Sequence, residues 1–370
     1  MIITNFEIRC CRHDQTKISG DALKDSGDQN GLEFLVYTLE TDDGMTASMF
    51  AFAGRSARGS GELAAAGLRP LLVGREALDR EALWHDFRKN DRFWNHLPIY
   101  SYGPADACLW LLGATAARQP LHKYIGSYRN EVPAYYSSMF FNSAEQYVAE
   151  ALETKNAGLK GYKLHPPGKS VDEDIEIHAA VREAVGPHFP LMSDPVAFMT
   201  LPEAVRYGRG LERLGYLWLE EPIQDENFSS LRELTRILDI PVIGTEVLGK
   251  HPYSVAECIS TKVVDAVRAD VSWTGGVTGT LKTAHLAESF NANCEVHSAI
   301  FQPLDLVNLH ICAAIRNCSF FELLSPRKDF DFGLAEPIVF QDGMAVLPEA
   351  PGLGVDLDWN LIENATFARV

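Results

Sequence analysis

The 370-residue chain lacks the features that mark secreted, membrane-spanning and nucleic-acid-binding proteins. Its seven cysteines show no CxxC or CxxxxC spacing, which argues against a disulfide framework and fits a reducing compartment. No apolar run approaches the ~20 residues that a bilayer requires. Positive charge is scarce: 33 Lys and Arg stand against 50 Asp and Glu, a net charge of −17. Nucleic acid and anionic membranes are therefore not expected as partners. The opening "MIITNFEIRCC" alternates apolar and polar residues as a strand does. It has no charged stretch followed by an apolar core, so no secretory leader and a cytoplasmic location are expected. An anionic substrate would need positive charge recruited locally, and a metal ion would serve.

What is present is ordinary globular composition, 46% hydrophobic and 22% charged. The length exceeds one compact core unless the fold is a large α/β barrel. Residues 1 to 125 read as a mixed α+β unit. "MIITNFEIR" and "LEFLVYTLETDDG" read as strands and "ADACLWLLGATAA" as a helix. Between the strands, "DQTKISGDALKDSGDQNG" is polar and Gly-rich. It is expected to form a mobile loop suited to gripping a polyhydroxylated substrate.

From about residue 131, short apolar runs alternate with helical stretches. The runs are "VPAYYSSMF", "GYKLH", "FPLMSD", "YLWLEE", "PVIGTE", "VDAVRADV", "CEVHS" and "SFFELL". Four of the intervening helices carry capping-box patterns: Ser143-x-x-Gln146, Ser170-x-x-Glu173, Thr200-x-x-Glu203 and Ser230-x-x-Glu233. Eight strands alternating with helices predict a (β/α)8 barrel over 126–325, with an imperfect last helix. Residues 326–370 are too irregular for another repeat and are expected to return to the N-terminal unit.

In such a barrel the chemistry sits at the C-terminal ends of the strands. Successive strands end in Asp194, Glu220 and Glu246, at steps of 26 and 26. Asp270, His297 and Glu322 follow at steps of 24, 27 and 25, each about one β/α unit. Three convergent carboxylates repel one another unless a cation lies among them. Hard oxygen donors without Cys or His point to Mg2+, with Mn2+ as the alternative. Asp270 beside His297 would fix the imidazole tautomer and support its charge. Lys163 and His165 are two apart on one strand, so they share a face. If that face is the interior, they reach the mouth from the side opposite His297.

Asp194, the Glu220 of "WLEEP", Glu246, Asp270 and His297 together resemble the enolase superfamily, specifically its mandelate racemase subgroup. "ADACLWLLGATAARQPLHKYIG" is similar to that family's A-x-D-x-A-x-W…G…P-L…G segment, and "TGGVTG" also fits. The resemblance implies a modified barrel closed by an N-terminal α+β capping domain that the C-terminal segment completes. It implies Mg2+ on Asp194, Glu220 and Glu246, an acid/base pair of His297 with Asp270, and α-proton removal from a carboxylate substrate through an enediolate. It also places Glu322 at a substrate carboxylate oxygen and implies a homo-oligomer. The chain departs from the family pattern at four places. Lys163-x-His165 replaces K-x-K, Val196 stands where Asn is usual, Thr245 where Gly is usual, and Leu111 where Asp is usual.

His165 has a suitable pKa for a base at neutral pH without tuning, whereas a lysine must be depressed. Lys163 would lower the proton affinity of His165 and help bind the substrate carboxylate. The expected activity is dehydration of a sugar acid to a 2-keto-3-deoxy acid. In the resembled family, members with a strand-two base and a His-Asp dyad are mostly acid-sugar dehydratases. The alternatives are a racemase or epimerase working by 1,1-proton transfer, and a non-catalytic metal- or ligand-binding barrel.

Overall fold

The computed structural model describes residues 1–13, 31–94, 97–247 and 250–370. The polar stretch expected to be a substrate-gripping loop thus lies, but for Gly31, outside the described residues. Strands β1 (Ile3–His13), β2 (Leu32–Thr41) and β3 (Thr46–Phe52) pair antiparallel in sequence order. Helices α1 (Ala57–Leu72), α2 (Arg80–Trp94), α3 (Ile99–Ala116) and α4 (Leu121–Ile125) follow. The sequence pattern marks β1, β2 and α3 but not β3, α1 or α2. Most of β3 is buried without polar alternation, and in α1 the buried face is made largely of small Ala and Gly residues with Pro70 inside the helix, which masks its helical period in the sequence.

Eight parallel strands then form the barrel: β4 (Glu131–Ser137), β5 (Gly161–Leu164), β6 (Leu191–Ser193), β7 (Leu219–Glu220), β8 (Val242–Gly244), β9 (Ala266–Ala269), β10 (Cys294–Val296) and β11 (Phe321–Leu324). Each falls on one of the eight runs expected from sequence. Neighbours pair in chain order from β4 to β10, and β11 pairs back onto β4. Seven helices lie between them: α5 (Ala144–Asn156), α6 (Val171–Val185), α7 (Leu201–Arg213), α8 (Phe228–Ile237), α9 (Pro252–Ser260), α10 (Gly276–Ser289) and α11 (Gln302–Ala314). After β11 comes only the four-residue α12 (Arg327–Phe330). Strands β12 (Phe340–Gln341) and β13 (Met344–Val346) extend antiparallel from β4. Helix α13 (Trp359–Ala365) leads into β14 (Thr366–Arg369), which pairs with β1 and completes the capping sheet.

Of the four expected capping boxes, Thr200–Glu203 closes reciprocally, and Ser170 caps its helix by accepting from Glu173 N at 3.3 Å while its hydroxyl donates to the Glu173 carboxylate. Ser143 stands at an N-cap without a capping bond, and Gln146 Oε1 accepts instead from Asn142 N at 3.1 Å. Ser230 is a correction. It lies inside α8, whose cap is Asn227, accepting from Ser230 N at 3.2 Å. Asn is at least as good a cap as Ser, and it stands three residues earlier.

Inside the barrel, Tyr135, Met192, Trp218, Ile243 and Ala266 form a buried apolar plug, with Phe320 packed against it. Strand side chains repeat every second residue, so the next inward layer is two residues further on. That layer holds Asp194, Glu220, Arg268 and Glu322, and the fold places its charge directly above the plug. The cap is tied to the barrel by Asp106 on α3, which accepts from Thr278 N and Oγ1 in α10, each at 2.8 Å. Trp110 Nε1 donates to the same hydroxyl at 2.9 Å. All seven cysteines are buried and unpaired. Among the described residues no helix is long and apolar enough to cross a membrane.

A buried histidine pair joins α4 to α11. His310 Nδ1 accepts from His122 N at 3.1 Å and its Nε2 donates to Leu353 O at 3.0 Å, so the ring must be neutral. Burial pushes the His310 pKa down to about 3. An unfolded histidine binds its proton near pH ~6.5. Between these values the unfolded chain holds the extra proton, so stability falls as pH falls. From pH 7 to 4 the loss from His310 should be on the order of 3 kcal/mol. Urea unfolding across that range should show a shallower acid limb in His310→Gln, and an unchanged limb would contradict this assignment.

Candidate active site

Asp194 follows β6, Glu220 ends β7 and Glu246 follows β8, so three neighbouring strands deliver three carboxylates to one end of the barrel. One oxygen from each lies within 4.8 Å of the others. Behind them stand two buried cations. Lys163 Nζ lies 2.8 Å from Glu322 Oε1, 3.0 Å from Glu220 Oε2 and 3.4 Å from Asp194 Oδ2. Arg268 Nε lies 2.8 Å from Glu220 Oε1 and 3.9 Å from Glu246 Oε2. Its Nη2 donates to Glu322 Oε2, and its Nη1 to Glu295 O at 3.2 Å. Lys163, Arg268, Glu220 and Glu322 are each at most 1% exposed. Glu322 was expected at a substrate carboxylate. Its oxygens are engaged instead by Lys163, Arg268 and the Ser298 amide.

Two histidines flank the carboxylates. From just beyond β5, His165 Nε2 lies 3.1 Å from Asp194 Oδ2, while its Nδ1 donates to Ser138 O at 2.6 Å. From beyond β10, His297 Nε2 lies 3.1 Å from Glu246 Oε1, while its Nδ1 lies 3.2 Å from Asp270 Oδ2. Asp270 Oδ1 is in turn held by Ser272 N at 2.6 Å and Trp273 N at 2.9 Å. In each ring Nδ1 is committed to a fixed acceptor, which leaves Nε2 as the nitrogen facing the carboxylates. The segment after His297 is fixed too. Asn308 Nδ2 donates to His297 O at 2.9 Å, and Asp305 accepts from Ala299 N at 2.6 Å. Burial pushes the Asp305 carboxyl up to about 8.

The structure thus brings Lys163, His165, Asp194, Glu220, Glu246, Asp270, His297 and Glu322 into one cluster. Sequence reasoning missed Arg268, although it lies two residues before Asp270 on β9 and so shares its face. It also missed Glu221. That carboxyl is pushed up to about 8 by burial and by its acidic neighbours, and it accepts from Glu246 N at 2.7 Å. Two departures from the family pattern fall at backbone positions in the left-handed region: Val196 at φ 54° and Thr245 at φ 79°. A β-branched side chain is costly there, where Asn or Gly fits readily. Thr245 is held by donating to Arg268 O at 3.1 Å.

The donor set fits a hard divalent cation. Asp194, Glu220, Glu246 and Glu322 carry four negative charges against the two of Lys163 and Arg268, which leaves two uncompensated. Glu220 Oε1 is buried without a hydrogen bond, the adjacent Arg268 Nε being poorly aligned. Burial and the neighbouring Glu221 and Glu220 raise the Glu246 carboxyl well above the usual range. Such a group is driven to take up a proton or a metal ion.

Residues 146–361 match the family model described as "Enolase C-terminal domain-like". The chain is 30% identical over 305 residues to an arabinonate dehydratase of Saccharolobus solfataricus, covering 80% of this chain and 81% of that protein. A magnesium-complexed D-glucarate dehydratase from Agrobacterium tumefaciens superposes with a TM-score of 0.88 at 33% identity, over 100% of both chains. An L-talarate dehydratase from Polaromonas sp. JS666, complexed with Mg and L-glucarate, gives 0.86 at 25% identity, over 100% of this chain and 98% of that one.

A divalent cation that binds only the folded site should stabilise the chain by about 2.7 kcal/mol at a hundredfold excess over its Kd. Thermal melts with Mg2+ and with EDTA should differ accordingly, and Glu220→Gln should remove the difference. Equal melts in the wild type would contradict the metal site.

Proposed function

The chain belongs to the enolase superfamily, and within it we propose that this protein is an acid-sugar dehydratase. It would take the proton α to the carboxylate of a sugar acid and expel the β-hydroxyl, releasing a 2-keto-3-deoxy acid. The observation that carries this reading is the opposed pair of Nε2 atoms, on His165 and His297, at the two ends of the carboxylate triad. Elimination needs one group to accept a carbon-bound proton and another to donate one to the leaving oxygen.

Asp194, Glu220 and Glu246 would hold Mg2+, in keeping with the magnesium named for two of the relatives. When bound, Mg2+ supplies positive charge that stabilises the enediolate form of the substrate carboxylate. His165 is the base. Its Nδ1–H is fixed on Ser138 O, so Nε2, once relieved of the proton it shares with Asp194 Oδ2, is the nitrogen that takes the α-proton. Lys163 is not available for that task, because its ammonium protons are spent on three carboxylates within 3.4 Å. Lys163 and Arg268 instead hold Glu220 and Glu322 in place, and their charge lowers the Glu322 carboxyl well below its usual range. His297 is the acid. Asp270 holds its Nδ1–H and supports the imidazolium, and Nε2 delivers its proton to the departing hydroxyl, which leaves as water.

The relatives named above act on both mono- and dicarboxylic sugar acids, which defines the assay. A panel of both kinds, incubated with the protein and Mg2+, should yield a 2-keto acid detectable as its semicarbazone. No product across the panel would count against the reading. His165→Asn should lower turnover by about three orders of magnitude, within the range for a lost general base, and should retain the Mg2+ shift in the melt. Full activity in that variant would move the base to Lys163 or His297.

A further inference from the structure

One cation beside the site, Lys250, forms no direct ion pair among the described residues. Lys250 lies on the loop leaving β8, four residues past Glu246. Trp273 lies on the loop leaving β9, three residues past Asp270 and bonded to it through its amide at 2.9 Å. The two meet across the barrel face, with Lys250 Nζ 5.2 Å from the Trp273 ring centroid. The capping domain closes over the same indole, Phe52 at 5.0 Å and Tyr100 at 5.4 Å between centroids. Lys163 and Arg268 are consumed by buried carboxylates. Lys250, half-buried, forms no ion pair among the described residues. Trp273 Nε1 is also buried without an acceptor. At the junction of cap and barrel, the Lys250 ammonium over the ring face and the indole N–H at its edge thus have no hydrogen-bond acceptor among the described residues.

We propose that Lys250 and Trp273 Nε1 form a subsite for a second carboxylate, so that the substrate is a dicarboxylic sugar acid rather than a monocarboxylic one. The proposal rests on the acid-sugar reading above. The ammonium supplies charge and the indole N–H supplies direction, which together suit a planar two-oxygen anion. A phosphate end is disfavoured. The nearby N-terminus of α10, the natural cradle for a phosphate, is already occupied by the Asp106 carboxylate on Thr278 N. The acid groups that act most strongly on Lys250 are Asp270, Asp225, Glu246 and Glu221, which sets it over the catalytic side of the barrel. Burial lowers its pKa, as expected of a cation awaiting a counter-ion.

Matched pairs that differ only at the distal carbon test this: gluconate with glucarate, and galactonate with galactarate. The wild type with Mg2+ should favour the diacid of the productive pair by about tenfold or more in kcat/KM. Lys250→Gln should erase the preference by raising KM for the diacid, Lys250→Arg should keep it, and Trp273→Phe should weaken it. Calorimetric titration of the same pairs into His165→Asn with Mg2+ gives a readout that needs no turnover. Diacid-selective binding there, lost on adding Lys250→Gln, supports the subsite even if no acid is turned over, and only the dehydratase reading then fails. Turnover of both members of a pair at equal efficiency overturns the subsite and leaves the dehydratase reading standing. An equal loss for both acids in Lys250→Gln overturns it as well. Tighter binding of 6-phosphogluconate than of glucarate would overturn the assignment of a carboxylate.

Discussion

Four carboxylates packed at the mouth of one barrel cannot share that space without compensation, and the rest of the site follows from how they are compensated. Lys163 and Arg268 enter from β5 and β9 and thread between Glu220 and Glu322, out of contact with water. A buried ion pair of this kind is poor evidence of stability, since desolvation offsets much of the attraction. Its consequence is geometric. Two fixed cations pin two carboxylates in one arrangement and leave an uncompensated charge of two. A divalent cation can neutralise that charge, and each outer carboxylate then faces one histidine.

The barrel makes this arrangement with little local invention. An apolar plug of Tyr135, Met192, Trp218, Ile243 and Ala266 fills its lower interior. Strand alternation places the charged layer two residues above it. The loops that leave the strands then bring His165, His297 and Lys250 to the rim, where cap and barrel meet. Depth along each strand thus sorts the side chains: packing at the plug, charge balance in the next layer, and at the top the groups to which proton transfer and recognition are proposed to fall.

Much of this was legible in the sequence because the β/α unit is so regular. The steps from Asp194 to Glu246 and on to His297 locate equivalent strand ends, and all eight strands stand where the apolar runs put them. The obscure parts have physical causes. Arg268 lies in a strand interior, where a charge is unexpected, and only its spacing from Asp270 marks it as inward-facing. The engagement of Glu322 by Lys163 and Arg268 depends on strands β5, β9 and β11, which no local pattern links. Strand β3 is mostly buried and so lacks alternation, and the buried face of helix α1 is made largely of Ala and Gly, which give little apolar contrast. Ser230 matched a capping box, but Asn227 starts the helix one turn earlier. The residues 196 and 245 show their meaning only once the backbone is seen to be left-handed there.

The central claim is that two histidines act on adjacent carbons from the two ends of the carboxylate triad. Proton NMR of a turned-over sugar acid in D2O with Mg2+ tests it most directly. The account predicts loss of the C2 proton together with loss of water, and a product with one deuterium at C3 and none retained at C2. Deuterium washing into C2 of recovered acid, with no water lost, would contradict elimination and make the enzyme an epimerase.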